Sequence, residues 1–404
     1  MDLWAMQLWP RGALIAGWLV VVVVAAVFRS RAYATMRGVL LGVQSLIVAG
    51  LYAQVPEPLQ PVMLVLHGCS LLHAAALVRP AMRPLAYRLL VSWPDAFFQA
   101  GTLLAFPWAI AAAAGHPWPG WWVPYVLAGL GFVGTFRPRE ETIDLVVASE
   151  EDTGKLSRQP KGAAREEARP LTIGQITDPH LGPFMSVARL EAIVARLVAR
   201  SPDLILLTGD FLTMESQSDP AHLAQALAPL KALPGRCYAC FGNHDHEAPK
   251  TVRRALAAAG VKLLVDEAEV VETPAGPVQI VGADFRWRGV AEHLARLCER
   301  HPRIPGALRL IMLHAPSAFS QLPEGEGDLV LSGHTHGGQV GFVRLGLDAT
   351  LVSLFGAGPD HGFWSRGTDR LYVHRGTGHY GFPLRLGVPG EESVLRVHRA
   401  VRPA

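Results

Sequence analysis

The sequence predicts two parts of different fold class, a multi-span α-helical membrane domain followed by an α/β domain. Half of the 404 residues are hydrophobic, and the mean hydropathy of +0.24 is high for a wholly water-soluble chain. The apolar excess lies before about residue 136, and short apolar runs alternate with helical patterns after it. We therefore expect a membrane domain at residues 1–139, a charged linker at 140–170 and an α/β domain at 171–404.

Five long uncharged apolar runs predict about five transmembrane helices. The runs cover residues 12–28, 38–55, 62–78, 96–115 and 121–136. A helix needs about 20 apolar residues to cross a bilayer, with a range of roughly 17–25. One such run could lie in the core of a soluble protein, but five in succession indicate a membrane domain.

The distribution of arginine predicts the orientation of these helices. Arginines follow the first, third and fifth runs, at Arg29, Arg31, Arg37, Arg79, Arg83, Arg88, Arg137 and Arg139. The connections after the second and fourth runs, 56–61 and 116–120, contain neither lysine nor arginine. Because arginine-bearing loops stay in the cytoplasm, we expect an integral inner- or plasma-membrane protein whose C-terminal half is cytoplasmic.

Residues 140–170 predict a charged linker between the two domains. They carry charges of both signs together with Gly, Pro and Ser, and they lack aromatic side chains. Such a composition is typical of a solvated, mobile tether. Within it, residues 143–147 have the pattern of a short strand.

Beyond residue 170 the chain alternates strand and helix patterns. Short apolar runs predict strands at 171–176, 204–207, 236–241, 278–281, 309–313 and 329–331. Apolar residues at three- and four-residue spacing predict helices at 187–200, 221–233, 250–259 and 290–301. This alternation is typical of an α/β domain.

Candidate metal ligands and catalytic residues follow five of these six strands. They are Asp178 with His180, Asp210, Asn243 with His244 and Asp245, His314, and His334 with His336. In extended backbone, residues i and i+2 share a side, so His334 and His336 could both face one site. A single Asp, Asn or His at a strand end is most often a turn residue. Five such segments in order are not expected by chance.

The residue types indicate a centre with two metal ions. Carboxylate, imidazole and amide oxygen together suit borderline divalent ions such as Mn, Fe or Zn. Ligands bind at the carboxyl ends of strands in open α/β sheets, and there are more candidate metal ligands here than one ion needs. Their number fits two metal ions that share one bridging carboxylate.

Taken together, these segments resemble the calcineurin-like metallophosphoesterase superfamily. The resemblance rests on Asp178-x-His180, Gly209-Asp210, Gly242-Asn243-His244-Asp245, His314 and Gly333-His334-x-His336. The extension His336-Gly337-Gly338-Gln339 is similar to the membrane-anchored bacterial branch and to transmembrane metallophosphoesterase-domain proteins. The resemblance covers the chain from about residue 171 onward and implies an α/β/β/α sandwich.

The resemblance also implies a role for each position. Asp178, His180 and His336 would hold one metal ion, Asn243, His314 and His334 would hold the other, and Asp210 would bridge them. His244 would be a catalytic imidazole that faces the phosphate without binding metal, and Asp245 would orient it. Hydrolysis would then proceed through a metal-bridging hydroxide, without a covalent enzyme intermediate.

The combined expectation is a membrane-anchored phosphoesterase that acts on a phosphoester at the cytoplasmic surface of the lipid bilayer. A lipid-linked phosphodiester or pyrophosphate is an attractive substrate, because five spans exceed what a simple tether needs. No nucleic acid partner is expected. The alternative is a non-catalytic membrane sensor with a metallophosphoesterase-like domain. A transporter is disfavoured because the spans contain almost no ionisable residues beyond His67 and His73.

Overall fold

The computed structural model of the protein describes residues 3–147, 155–159, 169–356 and 358–399, and side chains at residue 12 and from residue 15 onward. The chain groups into two units. One comprises Met1–Val133 with Gly381–Leu386, and the other comprises Gly134–Tyr380 with Gly387–Ala404. The first unit contains most residues of the predicted membrane domain, and the second contains the predicted α/β domain except Gly381–Leu386. The predicted domain boundaries stay a prediction.

The first unit is helical, and every predicted apolar run lies on a helix or a pair of helices. The longer helices are α1 (Leu3–Phe28), α2 (Arg31–Leu51), α3 (Gln60–Ala76), α4 (Trp93–Leu104), α5 (Phe106–Ala113) and α6 (Val123–Thr135). A helical turn at Leu85–Tyr87 and a π-helical turn at Arg88–Ser92 lead directly into α4. Between α2 and α3, Gln44 donates a hydrogen bond to Ser70 (3.0 Å), and Ser45 lies 3.2 Å from His67 Nε2. These bonds pair polar side chains between apolar helices, which gives His67 a structural role.

Among the described residues, two helices are long and apolar enough to cross a membrane, fewer than the five predicted spans. They cover Arg31–Gln54 and Glu57–Ala76, and a third span results if the bent pair Leu85–Leu104 and Phe106–Ala113 counts as one. The pair bends by 53° beside Pro107, whose ring cannot continue a helix across the break. The first and fifth runs contain the shorter apolar helices Ile15–Phe28 and Val123–Thr135 among the described residues. The count of five therefore stays a prediction.

The second unit contains two sheets. In the first sheet the strands lie in the order β1 (Arg139–Val147), β13 (Glu391–Arg399), β3 (Leu171–Ile176), β4 (Leu204–Leu207), β5 (Cys237–Ala239) and β6 (Lys262–Leu263). In the second the order is β2 (Ser157–Arg158), β11 (Gly362–Arg366), β12 (Asp369–Val373), β10 (Leu329–Ser332), β9 (Leu308–Met312), β8 (Gly276–Gly282) and β7 (Glu267–Thr273). Each predicted strand is present, with its ends moved by a few residues at most.

Four helices of the second unit coincide with the predicted ones. They are α7 (Val187–Ala199), α8 (Pro220–Ala226), α9 (Pro249–Ala258) and α10 (Val290–Arg300). The helix predicted at 221–233 ends early as α8 and continues as a 3-10 turn at Ala228–Ala232. Pro229 explains the change, because proline interrupts the hydrogen bonding of an α-helix.

Buried side chains fill three layers, which confirms the α/β/β/α sandwich. Successive residues of β4 point alternately into two of these layers. Ile205 and Leu207 pack with helices α7 to α9, whereas Leu204 and Leu206 pack between the two sheets. A third cluster, which contains Ile311 of β9, joins the second sheet to α10.

Part of the predicted linker belongs to the sheets instead. Strand β1 pairs in parallel with β13 and buries Ile143, Leu145 and Val147. Strand β2 pairs with β11 at the edge of the second sheet. The strand predicted at residues 143–147 is thus present as the second half of β1, and its alternating apolar residues determine its structure. Linker residues 148–154 and 160–168 lie outside the described residues.

Candidate metal centre

The predicted ligands lie on loops at the carboxyl ends of strands. Asp178 and His180 follow β3, Asp210 follows β4, Asn243 follows β5, His314 follows β9, and His334 with His336 follow β10. Strands β3, β4 and β5 are parallel neighbours in one sheet, and β9 and β10 are parallel neighbours in the other. Parallel neighbours bring their carboxyl ends to one edge of a sheet, and here the loops of both sheets meet.

One group of candidate ligands consists of Asp178, His180 and His336. All three are buried, and one ligand atom from each lies within 4.8 Å of the others. His336 Nε2 is 3.4 Å from Asp178 Oδ1 and 3.3 Å from His180 Nε2. Three donor atoms that converge in this way can coordinate one ion.

A second group consists of Asp210, His314 and His334, again with ligand atoms within 4.8 Å of one another. Asp210 Oδ2 lies 3.3 Å from His314 Nε2 and 3.7 Å from His180 Nε2. The Asp210 carboxylate thus stands between the two groups. Asn243 is on the adjoining loop, where the backbone nitrogen of His244 donates to Asp210 Oδ1 (2.9 Å).

Two observations test whether these residues fit metal ions. The side-chain oxygen of Asn243 is buried and has no hydrogen-bond partner among the described residues, an arrangement that costs about 1–3 kcal/mol unless a ligand compensates. His314 Nδ1 lies 2.6 Å from the carbonyl oxygen of Thr208. Because a carbonyl only accepts, Nδ1 carries the proton and Nε2 is the nitrogen available to a metal. The residues fit divalent ions.

Backbone strain is concentrated at the candidate ligands. The φ angle is positive at Asp178 (+51°), His180 (+45°), Asp210 (+58°), His334 (+68°) and His336 (+53°). This region is uncommon for residues other than glycine, and residues held in it cluster at functional sites. The turns place His334 and His336 in different groups of the same candidate centre, which is the division that the family resemblance implied.

Electrostatics in the metal-free protein favour the protonation states that bind metal. Burial alone would raise the pKa of Asp178, but His336 and its neighbours hold it well below the ordinary value. Burial lowers the pKa of His180 to about 3 and that of His334 to about 4, which keeps both imidazoles neutral. His314 differs, because Asp210 outweighs burial and raises its pKa to about 10. An ion bound at His314 would therefore displace a proton.

His244 lies beside the first group and is hydrogen-bonded to Glu247. Its ring centre is 5.7 Å from that of His180, and its Nδ1 lies 2.8 Å from Glu247 Oε1. Because a carboxylate accepts, Nδ1 donates and Nε2 is left for a substrate. Gln217 donates to the second oxygen of Glu247 (2.7 Å). Burial opposes charge on His244, but Glu247 and Asp210 raise its pKa above the ordinary value.

Asp245, predicted to orient His244, makes different contacts. Its carboxylate accepts hydrogen bonds from the backbone nitrogens of Asp210 (2.7 Å), Phe211 (2.9 Å) and Gly242 (2.8 Å). Asp245 therefore fixes the loop that carries Asp210, and Glu247 is the residue that holds His244. The i,i+3 spacing of His244 and Glu247 within one 3-10 turn is the sequence signal that could have identified this pair.

Tyr380 and Gln339 also border the site and were not predicted to do so. Gln339 donates to the carbonyl oxygen of Tyr380 (3.0 Å) and accepts from its backbone nitrogen (3.3 Å). The Tyr380 ring lies 4.7 Å from that of His244 and 5.2 Å from that of His180, between ring centres. The His336-Gly337-Gly338-Gln339 extension thus positions an aromatic ring beside the first group.

Replacing Glu247 tests the hydrogen bond to His244. Glu247→Ala should lower the turnover of an alkyl phosphodiester by roughly tenfold, the lower end of the effect expected when a side chain that orients an active-site histidine is lost. Steady-state rates of the purified full chain measure this. Glu299→Ala, on the exposed face of α10, is the matched control and should keep the wild-type rate. Equal rates for the two variants would rule out a functional role for the Glu247 contact.

Comparison with known proteins assigns this geometry to a family. The sequence profile of calcineurin-like phosphoesterases matches residues 171–338, a range that contains every candidate ligand. The chain is 30% identical over 251 residues to phosphodiesterase YaeI of Escherichia coli (strain K12), a match that covers 60% of this chain and 88% of that protein. The chain belongs to the calcineurin-like phosphoesterase family. It is therefore a phosphoric ester hydrolase, and the family normally binds two divalent metal ions.

Two further relatives have informative names. The UDP-2,3-diacylglucosamine pyrophosphatase LpxG of Chlamydia muridarum is 27% identical over 278 residues, which cover 56% of this chain and 83% of that protein. A transmembrane protein with metallophosphoesterase domain from Bos taurus is 28% identical over 252 residues, which cover 57% of this chain and 53% of that protein. Together with the apolar helices of the first unit, these similarities suggest association with a membrane.

Proposed function

We propose that the protein is a membrane-anchored dimetal phosphoesterase. The observation that carries the proposal is the position of Asp210 between two buried groups of metal-binding side chains. Asp178, His180 and His336 would hold one ion, Asn243, His314 and His334 would hold the other, and Asp210 would serve both. The alternative of a non-catalytic sensor is disfavoured because every position of the ligand set is filled.

Side chains that bind no metal have separate roles in the proposed reaction. Bound divalent ions would lower the pKa of a water molecule and offset negative charge on the phosphoryl group. His244 donates a proton from Nε2 to the leaving oxygen, and Glu247 holds Nδ1 so that the ring keeps this orientation. Asp245 fixes the backbone of Asp210 through its hydrogen bonds. Tyr380 flanks the position of His244.

The proposed substrate is a lipid-linked phosphodiester or pyrophosphate at the cytoplasmic face of the inner or plasma membrane. The apolar helices of the first unit support membrane anchoring, and the name of LpxG supports a diacylated pyrophosphate as a substrate class. The arginine-bearing connections support a cytoplasmic second unit. A reporter enzyme that is active only in the cytoplasm, fused to the C-terminus, tests this orientation and should be active. Activity of a fused reporter that works only in the periplasm would contradict it.

A lipid assay that resolves headgroups tests the substrate. Purified full chain in detergent is incubated with phospholipids and lipid pyrophosphates in the presence of Mn²⁺, and the water-soluble and lipid products are identified by mass spectrometry. We expect the wild-type chain to release a phosphorylated headgroup or nucleotide from one lipid class. The Asp210→Asn chain controls for contaminating hydrolases. Hydrolysis of water-soluble esters alone would contradict a lipid substrate and leave the phosphoesterase assignment in place.

A further inference from the structure

A loop next to the candidate metal centre carries large apolar side chains on its outer surface. The loop spans residues 340–355, between Gln339 and β11. Its exposed apolar side chains are Phe342, Leu345, Leu347, Leu351, Leu354 and Phe355. Leu345 and Leu354 are each 74% exposed and Phe355 is 81% exposed. Soluble surfaces rarely expose large apolar side chains in such a cluster, and clusters of this kind mark interaction sites.

The loop is an ordered structure that holds these side chains outward. Its base is closed by a hydrogen bond from the backbone nitrogen of Leu351 to the carbonyl oxygen of Val340 (2.8 Å). Thr350 begins the short helix α11 (Leu351–Leu354) with a capping box that it forms with Ser353. The Thr350 hydroxyl also donates to the buried carboxylate of Asp360. The exposure of the apolar tip is therefore built into the fold of the loop.

A lipid bilayer is the occupant that fits this surface. The chain itself supplies a bilayer partner, because Arg31–Gln54 and Glu57–Ala76 are long and apolar enough to cross a membrane. The loop base bonds to Gly387 through the backbone nitrogen of Arg344 (2.8 Å). In sequence, Gly387 directly follows Gly381–Leu386, the stretch that groups with the helical unit. The residue that bonds the base of the loop is thus adjacent in sequence to a stretch of that unit.

The charges of the loop agree with a lipid surface. Arg344 and Asp348 are its charged residues. Asp348 lies 3.6 Å from Arg158, a cation that also pairs with Asp360 (2.9 Å). An exposed arginine among exposed leucine and phenylalanine side chains is the combination that binds the interface of a bilayer containing anionic lipids.

We propose that residues 340–355 insert their apolar side chains into the surface of the bilayer. The loop begins directly after Gln339, which holds Tyr380 beside His244. Contact between loop and lipid would therefore bring the metal centre to the headgroup layer, where a phosphoester carried by a lipid is within reach. This last step rests on the proposed function, whereas the lipid contact does not.

Fluorescence quenching in proteoliposomes tests the lipid contact. The full chain is reconstituted with phosphatidylcholine and phosphatidylglycerol, with Cys69→Ser to remove the partly exposed native thiol. An environment-sensitive fluorophore is attached at Leu354→Cys. The matched control is Val270→Cys on β7, which is also an exposed apolar position. Adding lipids with a nitroxide on the acyl chain should remove most of the emission at residue 354 and leave that at residue 270 unchanged.

Two results would overturn the proposal. One is equal quenching at the two positions. The other is that aqueous iodide and nitroxide lipids both fail to quench the probe at residue 354. That result would show that the loop contacts a protein partner and not lipid. Both readouts are independent of catalysis, so they decide the contact even if the protein hydrolyses nothing.

A double variant tests the link between the loop and the substrate. Leu354→Ser with Phe355→Ser should lower the ratio of lipid hydrolysis to aryl phosphodiester hydrolysis by roughly tenfold or more, because two large side chains no longer partition into lipid. An unchanged ratio would show that the loop does not help lipid substrates reach the metal centre. If the wild-type chain hydrolysed neither the lipid nor the aryl phosphodiester, the proposed function itself would be refuted.

Discussion

Asp210→Asn should abolish phosphoester hydrolysis and release metal from the protein. The carboxylate of Asp210 stands between the two ligand groups, 3.3 Å from His314 Nε2 and 3.7 Å from His180 Nε2. An amide of the same shape lacks the charge that offsets two divalent ions. Metal activation supplies several kcal/mol of transition-state stabilisation, and about 1.4 kcal/mol corresponds to tenfold in rate. We therefore expect a loss of roughly 10³-fold, measured with an aryl phosphodiester and Mn²⁺.

Asp219→Asn is the matched control for this substitution. Asp219 is exposed and caps α8 by accepting a hydrogen bond from Ala221 (2.8 Å), and asparagine caps helices equally well. This variant should keep its activity and its metal content. If Asp210→Asn also kept both, Asp210 could not be the bridging ligand.

His244→Gln should slow turnover while leaving metal binding intact. His244 is hydrogen-bonded to Glu247 and lies outside both ligand groups, so its loss removes a proton donor and no ligand. General acid catalysis contributes about 10²–10⁴-fold. We expect a loss within this range for an alkyl phosphodiester and a smaller loss for a nitrophenyl ester, whose leaving group needs no proton. Metal content and rates on the two esters measure the effect.

His246→Gln controls for the position of this substitution. His246 is two residues away and exposed, and it pairs with Asp284 (3.0 Å), so its loss should change neither rate by much. Metal loss from His244→Gln would show that His244 is a ligand. Equal slowing of both esters would show that it does not protonate the leaving group.

The candidate ligands could be predicted from the sequence because each one follows an apolar strand. Asp210, for example, comes directly after the buried run of β4, and parallel strands bring such positions to one edge. Only the family resemblance predicted that His334 and His336 belong to separate groups, because the separation depends on positive φ angles that residue spacing does not reveal. The Tyr380 position depends on a contact with Gln339, 41 residues away in the chain.

The start of β1 and the break in the fourth apolar run could not be predicted from amino-acid composition. Strand β1 carries Arg139, Glu140 and Glu141 at its start, and these charges suggest a linker, yet its later residues alternate and pair with β13. The fourth apolar run has the composition of one span, but Pro107 lies at its break. Local patterns therefore identified the strands that carry ligands better than the edge strands and the membrane spans.

The number of bound manganese ions and the magnetic coupling between them show whether Asp210 bridges two metals. Metal-free full chain is titrated with Mn²⁺, and bound manganese is counted and examined by electron paramagnetic resonance. We expect two ions per chain with the spectrum of an exchange-coupled pair, because ions that share the Asp210 carboxylate would lie about 3.5–4 Å apart. One ion per chain, or two ions with the spectra of isolated manganese, would contradict a bridged dimetal centre.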